Sequence, residues 1–163
     1  MKYYYRVTDR FLAGEYPRDI DEGSSQAKMD ALIELGVSAF IDLTGVPDGM
    51  KPYTYFLHSR DILYQNFPIR DVSVPASRRF TRKILDAIDE QIASGRVVYV
   101  HCWGGVGRTG VIVGCWLSRH GRPGRPALER LRELWRSNPK SAWKRSPETL
   151  EQEQYIIDWN EMR

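Results

Sequence analysis

Apolar residues recur along the chain in two patterns: a three-to-four residue spacing that predicts helices, and short continuous runs that predict buried strands. From Gln26 to Leu35 the positions Met29, Leu32, Ile33 and Leu35 follow the helical period, and Gly36 stands where a left-handed C-terminal cap is wanted. Thr81–Ala93 repeats the pattern with Ile84, Leu85, Ile88 and Ile92 and stops at Ser94-Gly95. Three more helices are predicted. Val111–Leu117 is almost wholly apolar, Pro126–Trp135 has a proline near its first turn, and Pro147–Trp159 opens with Ser146-Pro147, which suits an N-cap followed by proline at the first helical position. The predicted strands are Phe11–Gly14, Val37–Leu43, Ile62–Phe67 and the β-branched run Val97–Val100. Strands and helices alternate, and no repeat or low-complexity tract interrupts them. The expectation is one α/β domain over residues 1–163, with a central mixed, mostly parallel sheet of four to five strands and helices on both faces.

Composition narrows the class. With 42% hydrophobic and 28% charged residues, 13 Gly and 9 Pro among 163, the chain is neither disordered, collagen-like nor a disulfide scaffold. A chain of this length buries about 70% of the surface it exposes when unfolded, enough for a core without staples. The net charge of +3 is too small to argue for nucleic acid or a membrane surface. Its distribution says more: 18 of the 24 basic residues are Arg, whose planar fork matches carboxylates and phosphates, and they gather at Arg78–Lys83, Arg119–Arg136 and Lys140–Arg145. Cys102 and Cys115 are 13 positions apart with no zinc-type Cys/His spacing around them, so no metal is implied and a reducing, cytoplasmic location is expected. The start MKYYYRVTDR lacks the apolar stretch of a signal peptide, and the longest nearly apolar run, Val111–Leu117, is far short of a membrane span.

The candidate chemistry lies between the last strand and the apolar helix, where the chain reads HCWGGVGRTG from His101 to Gly110. A bare Cys-x5-Arg arises by chance in about one such chain in five, whereas the full string has a chance frequency of roughly 10⁻⁷. The glycines let successive N–H groups from Trp103, Gly104, Gly105, Val106 and Gly107 converge on one anion, beside a helix N-terminus. The same amides favour Cys102 as a thiolate, the nucleophilic form. Arg108 can hold two phosphate oxygens at once, which a lysine point charge cannot.

HCWGGVGRTG resembles the signature loop of the cysteine-dependent protein tyrosine phosphatases, in particular their compact dual-specificity-like branch. LAGEYP, PIRDVSVP and SPETLEQEQY resemble segments flanking the same catalytic core, so the likeness spans most of the chain. The resemblance implies a metal-independent phosphomonoesterase without a cofactor. It would hydrolyse phosphotyrosine in proteins or peptides, with phosphoserine and phosphothreonine admitted by a shallow pocket, through a phosphocysteine intermediate. Phosphate, vanadate or sulfate is then expected in the loop, and the protein is expected to be a monomer.

The resemblance makes Cys102 the nucleophile and Arg108 the substrate and transition-state contact. His101 orients the loop, and Thr109 offers its hydroxyl to the departing sulfur. It also implies an aspartic general acid on a mobile loop some 30 residues before the cysteine. Asp71 lies 31 before it, between Pro68 and Pro75; Asp61, entering a strand, and Asp42, ending one, are weaker candidates. IRD stands where larger tyrosine-specific relatives have Trp-Pro-Asp, which leaves loop closure open. Gln152, with Gln154 as the alternative, matches the glutamine that places the hydrolytic water in relatives.

Gly105-Val-Gly107-Arg-Thr-Gly110 also satisfies the dinucleotide-binding G-x-G-x-x-G, but RHGRPGR follows instead of a second strand ending in an acid. Two alternatives stay open. One is a phosphoinositide or inositol-phosphate phosphatase, opposed by the lack of lysine within the loop and favoured by the basic clusters beside it. The other is a non-catalytic phosphate-binding module, whose usual mark, a missing Cys or Arg, is not found here. Cys115, two turns into the following helix, is read as a packing residue.

Overall fold

In the computed structural model, which describes residues 1–161, the chain runs β1 (Tyr4–Thr8), β2 (Phe11–Gly14), α1 (Glu22–Glu34), β3 (Val37–Asp42), β4 (Leu63–Asn66), α2 (Arg78–Ala93), β5 (Val97–His101), α3 (Arg108–Arg119), α4 (Arg125–Trp135) and α5 (Leu150–Asp158). Short 3-10 turns occupy Val46–Asp48, Thr54–Leu57 and Pro139–Ala142. The sheet order is β1-β2-β5-β3-β4, antiparallel between β1 and β2 and parallel elsewhere. The most apolar strand takes the middle, because a central parallel strand is covered on both faces. Val98, Tyr99, Val100 and His101 of β5 are all buried, whereas three of the four β4 residues at the edge are exposed.

Alternation of side chains divides the core in two. Val98 and Val100 pack with Ile41, Ile84, Ile88 and the apolar face of α3. Tyr99 faces the other way, toward Phe40, Leu12 and the α1 residues Met29 and Leu32. Helices α2 to α5 thus cover one face, and α1 with the turn at Thr54–Leu57 covers the other. Helix α3 is the most enclosed, buried from Arg108 to Ser118. Each of its buried Val, Ile and Leu side chains contributes about 1.5–3 kcal/mol of burial free energy, which fixes the helix whose N-terminus carries the site.

The predicted elements are present, with corrections at their ends. Helix α1 starts at Glu22 rather than Gln26, because Asp21 accepts the Ser24 amide (2.8 Å) and caps a polar first turn that carries no apolar period. Helix α2 starts at Arg78, capped by Ser77 on the Phe80 amide (3.0 Å). Helix α5 begins at Leu150, not Pro147: Thr149 and Gln152 form a capping box there, and Ser146, the expected N-cap, turns its hydroxyl to another loop. Strand β1 has no counterpart among the predicted elements; Tyr5 is its one buried side chain, too little to show as a pattern. Gly36 does terminate α1, with φ +92° and its amide on Ile33 O (2.9 Å). No helix among the described residues is long and apolar enough to cross a membrane.

Candidate active site

The loop after β5 sits outside the carboxyl ends of the parallel strands, where open α/β sheets form their ligand crevices. Cys102 follows β5 directly, is 3% exposed, and lies at the floor of a cavity of about 360 Å³ lined also by Arg108, Asp71, Trp103, Val106 and Gly107. Gly107 is the N-cap of α3, so the positive end of that helix faces the cavity floor. Thr109, one residue into the helix, does not serve as the cap. Its hydroxyl donates to Cys102 Sγ at 3.0 Å, a geometry that stabilises negative charge on sulfur. Gly105 has φ +73°, and a Cβ there would lie 2.6 Å from Gly14 O. Glycine is therefore required both by conformation and by the close approach of β2.

Arg108 is 2% exposed and held on three sides. Its Nη1 donates to Asp48 Oδ2 (3.0 Å) and to Ile69 O (3.0 Å), while Nη2 lies 3.2 Å from Asp71 Oδ1. Arg108 and Asp71 thus stand side by side on the cavity wall. Asp71 is half exposed, its Oδ1 also takes the Val72 amide (2.9 Å), and Val72 has φ +60°, an uncommon conformation for a β-branched residue. The two other aspartates considered lie elsewhere: Asp61 is 95% exposed and pairs with Arg96, and Asp42 accepts from Thr44 N, Thr44 Oγ1 and Tyr64 Oη.

His101 is fully buried behind the loop. Its Nδ1 lies 3.1 Å from Cys102 O and its Nε2 2.7 Å from Tyr53 Oη. A carbonyl can only accept, so Nδ1 carries the proton and Tyr53 donates to Nε2. Burial pushes His101 below the ordinary imidazole value, the Arg108 charge acts in the same sense, and together they outweigh Asp42. Both nitrogens of the ring are thus engaged, one of them by the backbone of the loop itself.

Gln152 is fully buried, not an exposed helical residue. Its Oε1 takes the amides of Glu148 (2.9 Å) and Thr149 (3.1 Å), and its Nε2 donates to Ser73 O (3.0 Å) in the Asp71 loop. It sits against Gly107, where a Cβ would come within 3.0 Å of its Nε2. Gln154 is on the outer side, bonded to Asp158.

Asp48 and Tyr53 were not singled out by sequence. Asp48 accepts the Gly45 amide (2.8 Å), as a turn residue would, but the same carboxylate holds Arg108 from 60 positions away. Burial by itself would raise the Asp48 carboxyl; the Arg108 and Gly45 hydrogen bonds and the Arg108 charge carry it below the usual carboxylate range. A lowered value adds stability above the unfolded value near 4, and that contribution is lost as pH falls below it. Asp48→Asn is expected to cost about 2 kcal/mol in urea unfolding at pH 7. This is less than the 3–5 kcal/mol for stripping a buried pair, because Asn still accepts a hydrogen bond and Asp71 stays in place. The difference from wild type should shrink toward pH 3.

The fold recurs in solved phosphatases of low identity. Tk-PTP in its active form superimposes with a TM-score of 0.78 at 23% identity, over 98% of this chain and 97% of that one. PTPMT1 in complex with PI(5)P gives 0.74 at 16% identity over 97% and 94%. The human tyrosine phosphatase-like serine/threonine/tyrosine-interacting protein gives 0.71 at 18% identity over 96% and 94%. In sequence, 067L of Invertebrate iridescent virus 3, which carries a tyrosine-phosphatase name, is 29% identical over 115 residues. That is 69% of this chain and 44% of the viral protein, so the chain spans less than half the length of that relative. A family profile described as Tc-R-P, the DSP-PTPase phosphatase of polymorphic toxin systems, matches residues 17–122, from the Tyr16-Pro17 turn through Asp71, the phosphate loop and α3. The chain belongs to that family, within the compact dual-specificity-like branch of the cysteine-dependent protein tyrosine phosphatase superfamily.

Proposed function

We propose that the protein hydrolyses a single phosphomonoester on an aromatic leaving group, phosphotyrosine in a protein or peptide, without a metal and through a phosphocysteine. The observation that carries the substrate class is the charge balance of the cavity wall, where five cationic side chains stand against four carboxylates. Besides Arg108, two of those cations are already paired: Lys28 with Glu15 (2.8 Å) and Asp19 (2.9 Å), and Lys140 with Glu15 (3.0 Å). A polyphosphorylated ring would meet little spare charge, whereas one dianion over the loop amides and Arg108 is well matched. Trp103, 60% exposed at the mouth beside Cys102, offers a flat apolar face to an aryl leaving group.

In the first step Cys102 Sγ attacks phosphorus, the S–P bond forms, the P–O bond to the leaving group breaks, and Asp71 gives that oxygen its proton. Arg108 and the loop amides follow the charge on the equatorial oxygens. In the second step water attacks phosphorus, Asp71 takes its proton, the S–P bond breaks, and the Thr109 hydroxyl receives the sulfur anion. Gln152 contributes by joining the α5 cap to the Asp71 loop and lying against Gly107. Two free thiols, one of them the nucleophile, suit a reducing compartment such as the cytoplasm.

The reading is tested by phosphate release from phosphotyrosyl and phosphoseryl peptides and a soluble inositol phosphate, from pH 5 to 8 in excess EDTA. Preference for the phosphotyrosyl peptide is expected. A higher kcat/KM for the inositol phosphate would replace it with the second reading, to which Arg18 and Lys144 on the same wall would contribute. Asp71→Asn is expected to lower kcat about 10²-fold. A kcat unchanged by the substitution would assign the acid elsewhere.

A further inference from the structure

Four carbonyls of the phosphate loop are gripped from outside. Cys102 O faces His101 Nδ1 (3.1 Å), Trp103 O accepts the Tyr16 amide (2.9 Å), Gly104 O accepts Lys140 Nζ (2.8 Å), and Val106 O accepts the Ser146 hydroxyl (2.6 Å). In a trans peptide the C=O and the following N–H point in opposite directions. Each grip therefore turns the next amide, that of Trp103, Gly104, Gly105 or Gly107, away from the gripping group.

One of these grips is a charged side chain. Lys140 comes from the turn Pro139–Ala142, 36 positions beyond Gly104, and its side chain is 14% exposed. It is itself fixed by Glu15 Oε2 (3.0 Å), whose other oxygen holds Lys28 (2.8 Å), and it stands 5.2 Å over the Tyr3 ring. Glu15 follows Gly14, the residue against which Gly105 packs. The peptide between Gly104 and Gly105 has glycine on both sides and so is the one freest to turn over. Turned over, it would lose an amide from the anion and aim a carbonyl at it.

We propose that Lys140, held by Glu15, is a positioning residue of the phosphate loop: its ammonium fixes the Gly104–Gly105 peptide with the Gly105 amide toward the bound phosphoryl group and sets a positive charge beside it. This rests on the phosphatase reading of the same site and extends it to a residue beyond the matched family segment, 17–122.

The test compares wild type with Lys140→Met, Lys140→Gln, Lys140→Arg and Glu15→Gln in the whole chain. Three quantities are read: kcat/KM on p-nitrophenyl phosphate, competitive inhibition by inorganic phosphate, and the pH dependence of Cys102 alkylation by iodoacetate. Lys140→Met is expected to weaken phosphate inhibition about tenfold, lower kcat/KM by about 10–100-fold and move the alkylation profile to higher pH. Lys140→Arg should restore all three to within about threefold, and Lys140→Gln, a donor without charge, should fall between. A folded Lys140→Met protein with wild-type phosphate inhibition and alkylation would overturn the proposal. Should that variant fail to fold, Glu15→Gln decides, since unchanged phosphate inhibition there has the same consequence. A wild type that binds phosphate without turnover overturns the phosphatase reading instead, and phosphate affinity and alkylation then judge Lys140 by themselves.

Discussion

Cys102→Ser is expected to abolish turnover of p-nitrophenyl phosphate, a fall of about 10⁵–10⁶-fold in kcat, while the anion site persists. The reason is a separation of roles visible in the geometry. In the proposed mechanism the loop amides, the α3 N-terminus and Arg108 bind the phosphoryl group, and none depends on sulfur for its position: Arg108 is held by Asp48 and Ile69 O, and the loop carbonyls by His101, Tyr16, Lys140 and Ser146. A serine hydroxyl fits the buried space and still receives the Thr109 hydroxyl that now donates to Sγ at 3.0 Å. It is a poor nucleophile at neutral pH, so the covalent step stops. In the proposed mechanism it also stands in place of a thiolate, which removes repulsion from the dianion. The variant should therefore bind inorganic phosphate at least as tightly as wild type, seen as a ligand-dependent rise in Tm. Turnover within tenfold of wild type in this variant would end the covalent mechanism. An inactive wild type that binds phosphate would make the protein a phosphate-binding module.

Arg108→Lys is expected to lower kcat/KM by about 10³-fold, more than charge conservation would suggest. The guanidinium makes three contacts from two nitrogens, and in the proposed mechanism it must hold a phosphoryl oxygen as well. An ammonium cannot reach Asp48, Ile69 O and a phosphoryl oxygen together. Loss of a transition-state donor alone costs about 10²–10³-fold, and the Ile69 carbonyl, buried behind the site, would lose its partner as well. The effect should lie largely in kcat, because the second oxygen contact matters most as charge develops. A variant with an unchanged kcat and only a raised KM would confine Arg108 to substrate capture. Steady-state kinetics at pH 6 with thermal unfolding as the folding control separate these outcomes.

The parts of the site that could be read along the chain share one property: they are contiguous. Cys102, the loop glycines, Arg108 and Thr109 fall within one strand-turn-helix unit, so their spacing in sequence is their spacing in space. Asp71, which is not contiguous with them, was pointed to only by the family resemblance, which implies an acid about that far before the cysteine; it stands 3.2 Å from Arg108. The α/β alternation and the two-faced sheet were legible for the same reason, since helical and strand periods are local properties. Helix starts were less legible, because the first turns of α1 and α2 are set by Asp21 and Ser77 caps rather than by apolar period.

What sequence by itself determined was a glycine-rich turn between a strand and a helix of an α/β domain, with a cysteine and an arginine at the spacing a phosphate cradle would need. What only the tertiary structure decided was how that cradle is held. Asp48 meets Arg108 across 60 positions, Tyr53 meets His101 across 48, Ser146 meets Val106 across 40, and Lys140 meets Gly104 across 36. Each looks in sequence like an ordinary turn or loop residue, and Ser146 like a helix cap. Their roles come from parallel strand pairing and from the packing of α3 against α4 and α5, which bring distant turns to one end of the sheet. Such contacts carry no periodicity or spacing of their own, because the partner's position is set by the whole fold rather than by neighbouring residues.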